Sequence, residues 1–422
     1  MTIRIGSWIP YGNVFRMPET VKCDILLAGA GMAGLSLLYR ALKSGVWTKE
    51  RIIIVDQSDK TTNDKTWSFW RKPDVKGVAS HLDVHSFSFQ DVIHHQWKDL
   101  TFISNDGRKI PLQCGNYSYN SIRSIDFYEM VMSYLKEFPS ITFVHEEILS
   151  CSSSGGAATL VTPTRVYTAP VLFNSIFTKP EIKNTEQYFL QHFKGLRIRI
   201  NSVSTASPPM NVPPVNEAYL MDFRTGQENG TSFFYTLPLK DNELFIEYTL
   251  FSKSLLESEA YDKQLKLYLE KVLKISSYEV LEEEFGAIPM TDFRFKRFEG
   301  NIINIGSAGG DTRASTGYTF MTTQKTISRI LQHYQKNGTP YFKQENLTVK
   351  HHLYDSTLLN VLDKEKYQGH QLFTDLFSNC SAKYIFPFLD GESSVIQDLP
   401  IMKSLRIWPF LQSFAAAVFR RI

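Results

Sequence analysis

Read for its alternation of apolar and polar positions, the chain divides into stretches of distinct character. Residues 23–45, CDILLAGAGMAGLSLLYRALKSG, open as a short apolar run and pass through glycines. They continue with Leu35, Leu38 and Leu42 at helical spacing as far as Gly45. That pattern predicts a buried strand, a tight turn and a helix. RIIIVD (51–56) is a second continuous apolar run, so the region predicts a parallel βαβ unit. Between 185 and 252, FKGLRIRI, AYLMDFR, SFFYTLPL and ELFIEYTL are separated by turn residues. They predict an antiparallel sheet with one wall facing a cavity. DKQLKLYLEKVLKI (262–275) predicts an amphipathic helix, and NIINIGSAGG (301–310) another buried strand running into glycines. From about residue 323 the pattern is helical to the C-terminus.

Composition narrows the function classes. At 422 residues the chain exceeds what one hydrophobic core serves comfortably, which predicts two or three domains. No linker or repeat separates them, so the chain is expected to cross between them several times. A net charge of +3 without a dense basic run is too small to imply a nucleic-acid partner, and none is expected. Cys23, Cys114, Cys151 and Cys380 form no CxxC, and the adjacent pairs His94–His95 and His351–His352 point apart, so neither a disulfide framework nor a metal site is expected. The N-terminus lacks the apolar core of a cleavable signal, and no apolar run is long enough to span a bilayer. The load of 30 Phe and 20 Tyr leaves two readings open, a well-packed core or a large aromatic-lined pocket.

The first chemistry is in the glycines. Gly29, Gly31 and Gly34 form GxGxxG between the predicted strand and helix. In such a turn the first glycine permits the tight bend, the second lets the backbone approach a pyrophosphate, and the third lets helix and strand pack closely. Asp56, closing the next strand, is placed to accept hydrogen bonds from ribose hydroxyls. Far downstream, NIINIGSAGGDTRASTGYTF (301–320) reads as strand, glycine turn and helix start, with Gly306, Gly309 and Gly310. A late unit of this kind packs against the first one in two-part FAD domains, whereas a protein that binds only NAD has no need of it. FAD is therefore the expected cofactor. Arg123 is a candidate to neutralise its pyrophosphate, and Asn174 and Ser175 fall at a later strand end near it.

The fold expected is α/β: a Rossmann-type FAD-binding domain like that of glutathione reductase, an antiparallel β-sheet substrate domain and a helical C-terminal part. The expected boundaries are an N-terminal extension at 1–21, then a discontinuous FAD-binding domain from 22–75, 120–180 and 285–330. The substrate-binding domain takes 76–119 and 181–284, and the helical region 331–422.

Several segments in order carry a more specific likeness. VDQSDKTTNDKTWSFW, FNSIF, QHFKG, LMDFR, FFYTLPL, FIEYTLFS, FGAIPMTD and GSAGGDTRASTGYTF together resemble the flavin-dependent lycopene cyclases from about residue 22 to 400. The resemblance implies a redox-neutral, acid-catalysed folding of the ψ-end groups of lycopene into β-ionone rings, giving γ-carotene and β-carotene. It implies reduced FAD as the working cofactor, NAD(P)H as electron donor, and lycopene or another carotenoid with a ψ-end as substrate. An alkene is a very poor base, so the acid must be a carboxyl kept neutral by desolvation. In FIEYTLF, alternation sets Glu247 on the same face as Phe245 and Thr249, and the resemblance places the family's essential acid at Glu247. Tyr248 stands where many members have a second acid.

The resulting cation needs aromatic faces and no trapping nucleophile. Trp67, Phe69 and Trp70 follow the Asp56 strand, with Trp67 and Phe69 expected on one face and Trp70 on the other. Each ring is either pocket wall or hydrophobic plug. Phe245, Tyr248, Thr316 and Tyr318 complete the expected substrate pocket, and Asp292 and Arg313 are candidates to fix loops beside it. The family's charged-residue, proline, Ser-Thr-Gly-Tyr motif appears here as Arg313-Ala314-Ser315-Thr316-Gly317-Tyr318, with the proline lost.

A hydrocarbon substrate implies a protein in the cytoplasm, peripherally attached to the inner face of the membrane. In SLRIWPFLQSFAAAVFRRI, the residues Leu405, Trp408, Leu411 and Phe414 recur at helical spacing, interrupted by Pro409. Such a helix lies either in the membrane interface or against the protein itself. Two other functions remain open at this point: an FAD-dependent monooxygenase or halogenase, and a non-catalytic carotenoid-binding flavoprotein.

Overall fold

The computed structural model describes residues 19–72, 89–201, 211–240, 242–342 and 349–419. The expectations for residues 1–18 and 76–88, and for the terminal arginines, lie outside the described residues.

The apolar runs form a parallel sheet. Its order is Phe298–Glu299, Ile302–Asn304, Val171–Asn174, Ile25–Ala28, Ile52–Asp56 and Ile141–His145. Only the edge strand Phe298–Glu299 runs antiparallel. Ile25–Ala28 and Ile52–Asp56 are buried at every position, because both faces of the sheet are covered, the usual condition of a parallel sheet. One face carries helices Met32–Lys43, Ser124–Leu135 and Phe320–Asn337 through Leu35, Phe127, Val131 and Ile327. The other packs Leu26, Ile53 and Leu172 on Leu160 and Tyr167 of a four-stranded sheet.

The second layer system is a seven-stranded sheet. Its order is Tyr278–Thr291, Tyr188–Ile200, Glu243–Ser252, Thr231–Pro238, Glu217–Asp222, Asp99–Ile103 and Lys109–Leu112. Every pairing is antiparallel except that of Glu217–Asp222 with Asp99–Ile103. That exception departs from the wholly antiparallel expectation. The two strands are not hairpin partners, so no short turn imposes opposite directions on them. Behind the sheet, helix Ser258–Leu267 starts earlier than its apolar pattern suggests, and its last turns widen into a π-helix at Tyr268–Leu273. Tyr261, Leu265 and Leu269 there pack on Ile246, Tyr248 and Leu250.

A small sheet of Thr66–Arg71, Ser118–Arg123 and His95–Trp97 joins these systems. Five helices between Val349 and Phe419 cover the other end of the large sheet, with Phe377 on Phe102 and Phe373 on Phe223. Pro409 stands in the first turn of helix Ile407–Phe419 and does not interrupt it. Proline is tolerated there because the first-turn amides have no intrahelical partner to lose.

Candidate active site

The glycine turn leaves the parallel sheet at the C-terminal end of Ile25–Ala28. Gly29 has φ +93°, a left-handed conformation that a side chain would strain. A Cβ on Gly34 would lie 2.3 Å from the Gly29 carbonyl oxygen, so helix and turn touch backbone to backbone. Gly31, which caps the helix, has nothing within 4 Å of its would-be Cβ, and the first turn carries no acid. The open side of Gly31 borders a cavity of about 460 Å³. Asp56 is drawn into the turn itself: Oδ2 accepts from the Ala30 amide at 2.7 Å and Oδ1 from the Ser58 amide at 2.8 Å, with Lys60 Nζ 3.1 Å away.

The second turn comes alongside through Gly306, whose would-be Cβ lies 2.9 Å from that of Ala33. Its amide donates to Asp311 Oδ2 at 2.8 Å, and Arg297 and Thr326 both donate to Asp311 Oδ1. Gly306 and Ser307 line the cavity. Gly309 and Gly310 do not. A Cβ on Gly309 would strike Asn304 O and Arg297 Nη1, both at 2.2 Å, and Gly310 turns toward Phe295. These two shape the turn rather than the wall. Arg123 is also off this cavity, because its guanidinium clamps Asp126 at 2.8 and 2.6 Å. Lys60 and Lys65 are the basic residues on the wall, and Ser175 borders it near Gly29.

The aromatic strand Thr66–Arg71 divides its rings by alternation. Trp67 and Phe69 both meet Phe320, at 6.0 and 4.8 Å between centroids. Trp67 lines the cavity, while Phe69, 2% exposed, lies in the core and borders no cavity described here. Phe69 is therefore the plug and not pocket wall. Trp70 faces the opposite way, 4.3 Å from Tyr318 and 5.1 Å from Phe386, on a second, largely apolar cavity of about 500 Å³. The two cavities share Tyr235, Thr316 and Tyr318.

Where the large sheet meets the first cavity, cross-strand register sets Tyr235, Glu247, Gly195 and Glu284 in one row. Phe245 and Glu247 both line the cavity, and Thr249 donates to Glu247 Oε1 at 2.6 Å. Glu247 keeps accessible surface because it borders the cavity, yet protein surrounds it. That burial, reinforced by the neighbouring Glu284, pushes its carboxyl up to about 8. Burial likewise pushes Glu284 up to about 7, with Thr66 and Lys65 partly offsetting the rise.

Tyr248 is not in the pocket. One residue out of phase with Glu247, it lies against Phe234 and Tyr261 on the back of the sheet. Glu284, Tyr119 and Tyr235 are site residues that the sequence reading missed. Tyr119 and Tyr318 approach oxygen to oxygen at 3.3 Å, and burial raises the phenols of Tyr119, Tyr235 and Tyr318. No local sequence signal singles out Glu284, because its place depends on the pairing of its strand with Gly195.

The loop carrying Thr316 and Tyr318 is tied down by Arg313. Its backbone bonds the amide of Gly317 and the carbonyl of Tyr318, and its buried guanidinium reaches Asp355 at 3.1 Å. Asp292 accepts from the Gln187 amide at 2.7 Å and fixes the start of the longest central strand. Among the described residues, no cluster of His, Cys, Asp or Glu has metal-site geometry.

Nucleotide-type turns at the strand ends of a parallel sheet, facing a cavity shared with a second, largely antiparallel sheet, belong to the Rossmann-type flavoprotein fold, and solved structures share it. A flavoprotein/dehydrogenase from Cytophaga hutchinsonii aligns with a TM-score of 0.59 at 12% identity over 95% of this chain and all of that one. The p-nitrophenol 4-monooxygenase of Pseudomonas putida aligns at 0.53 and 11% identity, over 96% and 95%. A variant of the halogenase PltM in complex with FAD also aligns at 0.53 and 11%, over 87% and 79%. No curated protein matches the sequence at a significant level. The family described as Lycopene cyclase protein matches residues 24–415, and the chain belongs to that family.

Proposed function

We propose that this protein is an FAD-dependent lycopene β-cyclase of carotenoid biosynthesis, an isomerase that closes ψ-end groups to β-ionone rings. The observation that carries this reading is Glu247, a carboxyl raised to about 8 on the wall of the glycine-lined cleft, paired across strands with Tyr235, where that cleft meets the aromatic cavity. At pH 7 such a group is protonated about ten to one.

The cleft suits FAD. A helix N-terminus without a first-turn acid and with open space at Gly31 favours a pyrophosphate, and Gly306, Ser307, Lys60 and Lys65 border the same space. Bound there in reduced form, with NAD(P)H as donor, flavin would supply negative charge that favours a developing cation.

The chain's own residues do the rest. Glu247 gives its proton to the terminal alkene, leaving a tertiary cation, and an internal double bond then attacks that cation to close the ring. A ring proton is lost, and the Glu247 carboxylate takes it back, so the balance closes without oxidant or reductant. Trp70, Tyr235 and Tyr318 present ring faces to the cation, each contributing roughly 0.5–2 kcal/mol.

Access from a membrane surface belongs to the same proposal. Among the described residues no helix is long and apolar enough to cross a bilayer. Helix Ile407–Phe419 nevertheless lines the apolar cavity through Phe410, Leu411 and Phe414, while Trp408 and Phe419 are 74% and 77% exposed. An interfacial position of this face, on the cytoplasmic side, passes a hydrocarbon inward without crossing water.

Pigment analysis of lycopene-accumulating bacteria expressing the chain tests the reading. β-Carotene or γ-carotene is expected. Unchanged lycopene beside FAD-loaded protein overturns it in favour of a carotenoid-binding flavoprotein, and oxygenated products overturn it in favour of a monooxygenase.

A further inference from the structure

Glu284 is a buried acid in the same cross-strand row as Glu247 that the proposed cyclisation leaves unused. It stands two strands from Glu247, with Gly195 paired to both. Its Oε1 is buried without a hydrogen-bond partner, an expensive arrangement for a polar atom. Gly195, having no side chain, leaves the room beside its backbone to the Phe245 ring and the Glu284 stem. A Cβ there would lie 2.8 Å from Phe245 Cζ and 3.1 Å from Glu284 Cγ.

We propose that Glu284 is the positioning partner of Glu247: set on either side of Gly195 in one cross-strand row, the two carboxyls share a charge, with Glu284 ionised and Glu247 holding the proton. The inference rests on the reading of Glu247 as the acid.

The surroundings decide which member ionises. Glu284 is approached by Lys65, Asp64 and Thr66 from the segment leading into the aromatic strand, and Lys65 favours its anion. Glu247 faces Glu284, the Thr249 hydroxyl and the phenols of Tyr119 and Tyr235, none of them a cation. In the next row, Arg197 is spent on Glu243 and Glu282, at 2.6 and 2.7 Å. A negative charge behind Glu247, in poorly screened surroundings, opposes a second ionisation and so keeps the proton in place.

The test follows the carboxyls themselves, so it does not depend on turnover. Infrared titration of the FAD-loaded protein, with Glu247→Gln as the difference reference, gives the midpoint of the Glu247 carboxyl. Glu284→Gln is expected to lower that midpoint by roughly one pH unit. Glu284 ionises while its partner is still neutral, so its own midpoint is expected to stay in place in Glu247→Gln. Glu284→Met, which removes the same charge without leaving a buried polar atom, provides the answer from a second variant if Glu284→Gln folds poorly. The upper limb of the cyclisation pH profile should move with the Glu247 midpoint, and a merely structural role for Glu284 would change melting without moving it. A Glu247 midpoint that stays in place when the charge at Glu284 is removed overturns the pairing whether or not the protein makes cyclic carotenoid. Coupled midpoints without cyclic product leave the pairing intact and overturn the cyclase reading alone.

Discussion

The rings of Trp70 and Tyr318 lie 4.3 Å apart, tilted by 55°, and join the aromatic strand to the loop that Arg313 ties to helix Val349–Asp363. Trp70 belongs to the core beneath the C-terminal helices, while Phe69, its neighbour in sequence, belongs to the core of the parallel sheet. A single strand thus fastens two cores together. Trp70→Ala is expected to destabilise the protein by about 3–5 kcal/mol, seen as a lower melting temperature. Trp70→Phe keeps a ring and is expected to lower cyclisation only two- to five-fold, roughly the loss of 0.5–1 kcal/mol of cation stabilisation.

Glu247 sets a pH dependence whose sign is fixed. Its folded-state value of about 8 lies above the ordinary carboxyl value, so the folded protein holds a proton that the unfolded chain releases. The contribution is fully present at acid pH and is lost as pH rises through about 8. Melting curves from pH 5 to 9 should therefore show Glu247→Gln gaining on the parent protein up to about pH 8 and levelling beyond it. Cyclisation by the parent should fall over the alkaline part of the same range, because the reactive form is the acid.

The two glycines of the first turn should respond in opposite ways. Gly31 has open space toward the cavity and an ordinary backbone, whereas a side chain at Gly34 collides with the Gly29 carbonyl. Gly31→Leu is expected to fold and to lose bound flavin, read from visible absorbance. Gly34→Leu is expected to lose the fold itself, read from melting or from insoluble expression.

Exposed apolar side chains on the last helix contribute little to folding. Replacing Trp408 and Phe419 together by Ser should leave the melting temperature within a degree or two while reducing co-sedimentation with anionic lipid vesicles. Equal sedimentation would remove this face as the membrane contact.

How much of this was legible in the sequence depended on distance along the chain. The parallel strands, the glycine turns and the facing of Phe245, Glu247 and Thr249 follow from local periodicity, and so does the opposite facing of Trp70 from Trp67 and Phe69. Alternation also places Tyr248 behind the sheet, once it is applied to that residue as strictly as to Glu247. What periodicity cannot supply is register between strands far apart in sequence. Glu284 reads as the last of three consecutive acids in EEEF until pairing through Gly195 sets it beside Glu247. Gly309 and Gly310 look equivalent to Gly306 in sequence, and only the fold of the turn decides which of them meets the cavity. Arg123 likewise reads as a free cation until Asp126, three residues on, takes its guanidinium.

The junction of the two cavities at Tyr235, Thr316 and Tyr318 makes the protein one-handed toward a long molecule. Glu247 borders only the cavity on the far side of that junction from the C-terminal helices; under the proposed cyclase reading, a polyene entering from their side would be threaded lengthwise and would offer one terminus at a time. A substrate with two reactive termini has to withdraw, reverse and thread again before its second ring can form. Under that reading the singly cyclised form would be a released species competing with fresh substrate for the same doorway, and the ratio of one-ringed to two-ringed product would follow the supply of hydrocarbon more than the chemistry at Glu247.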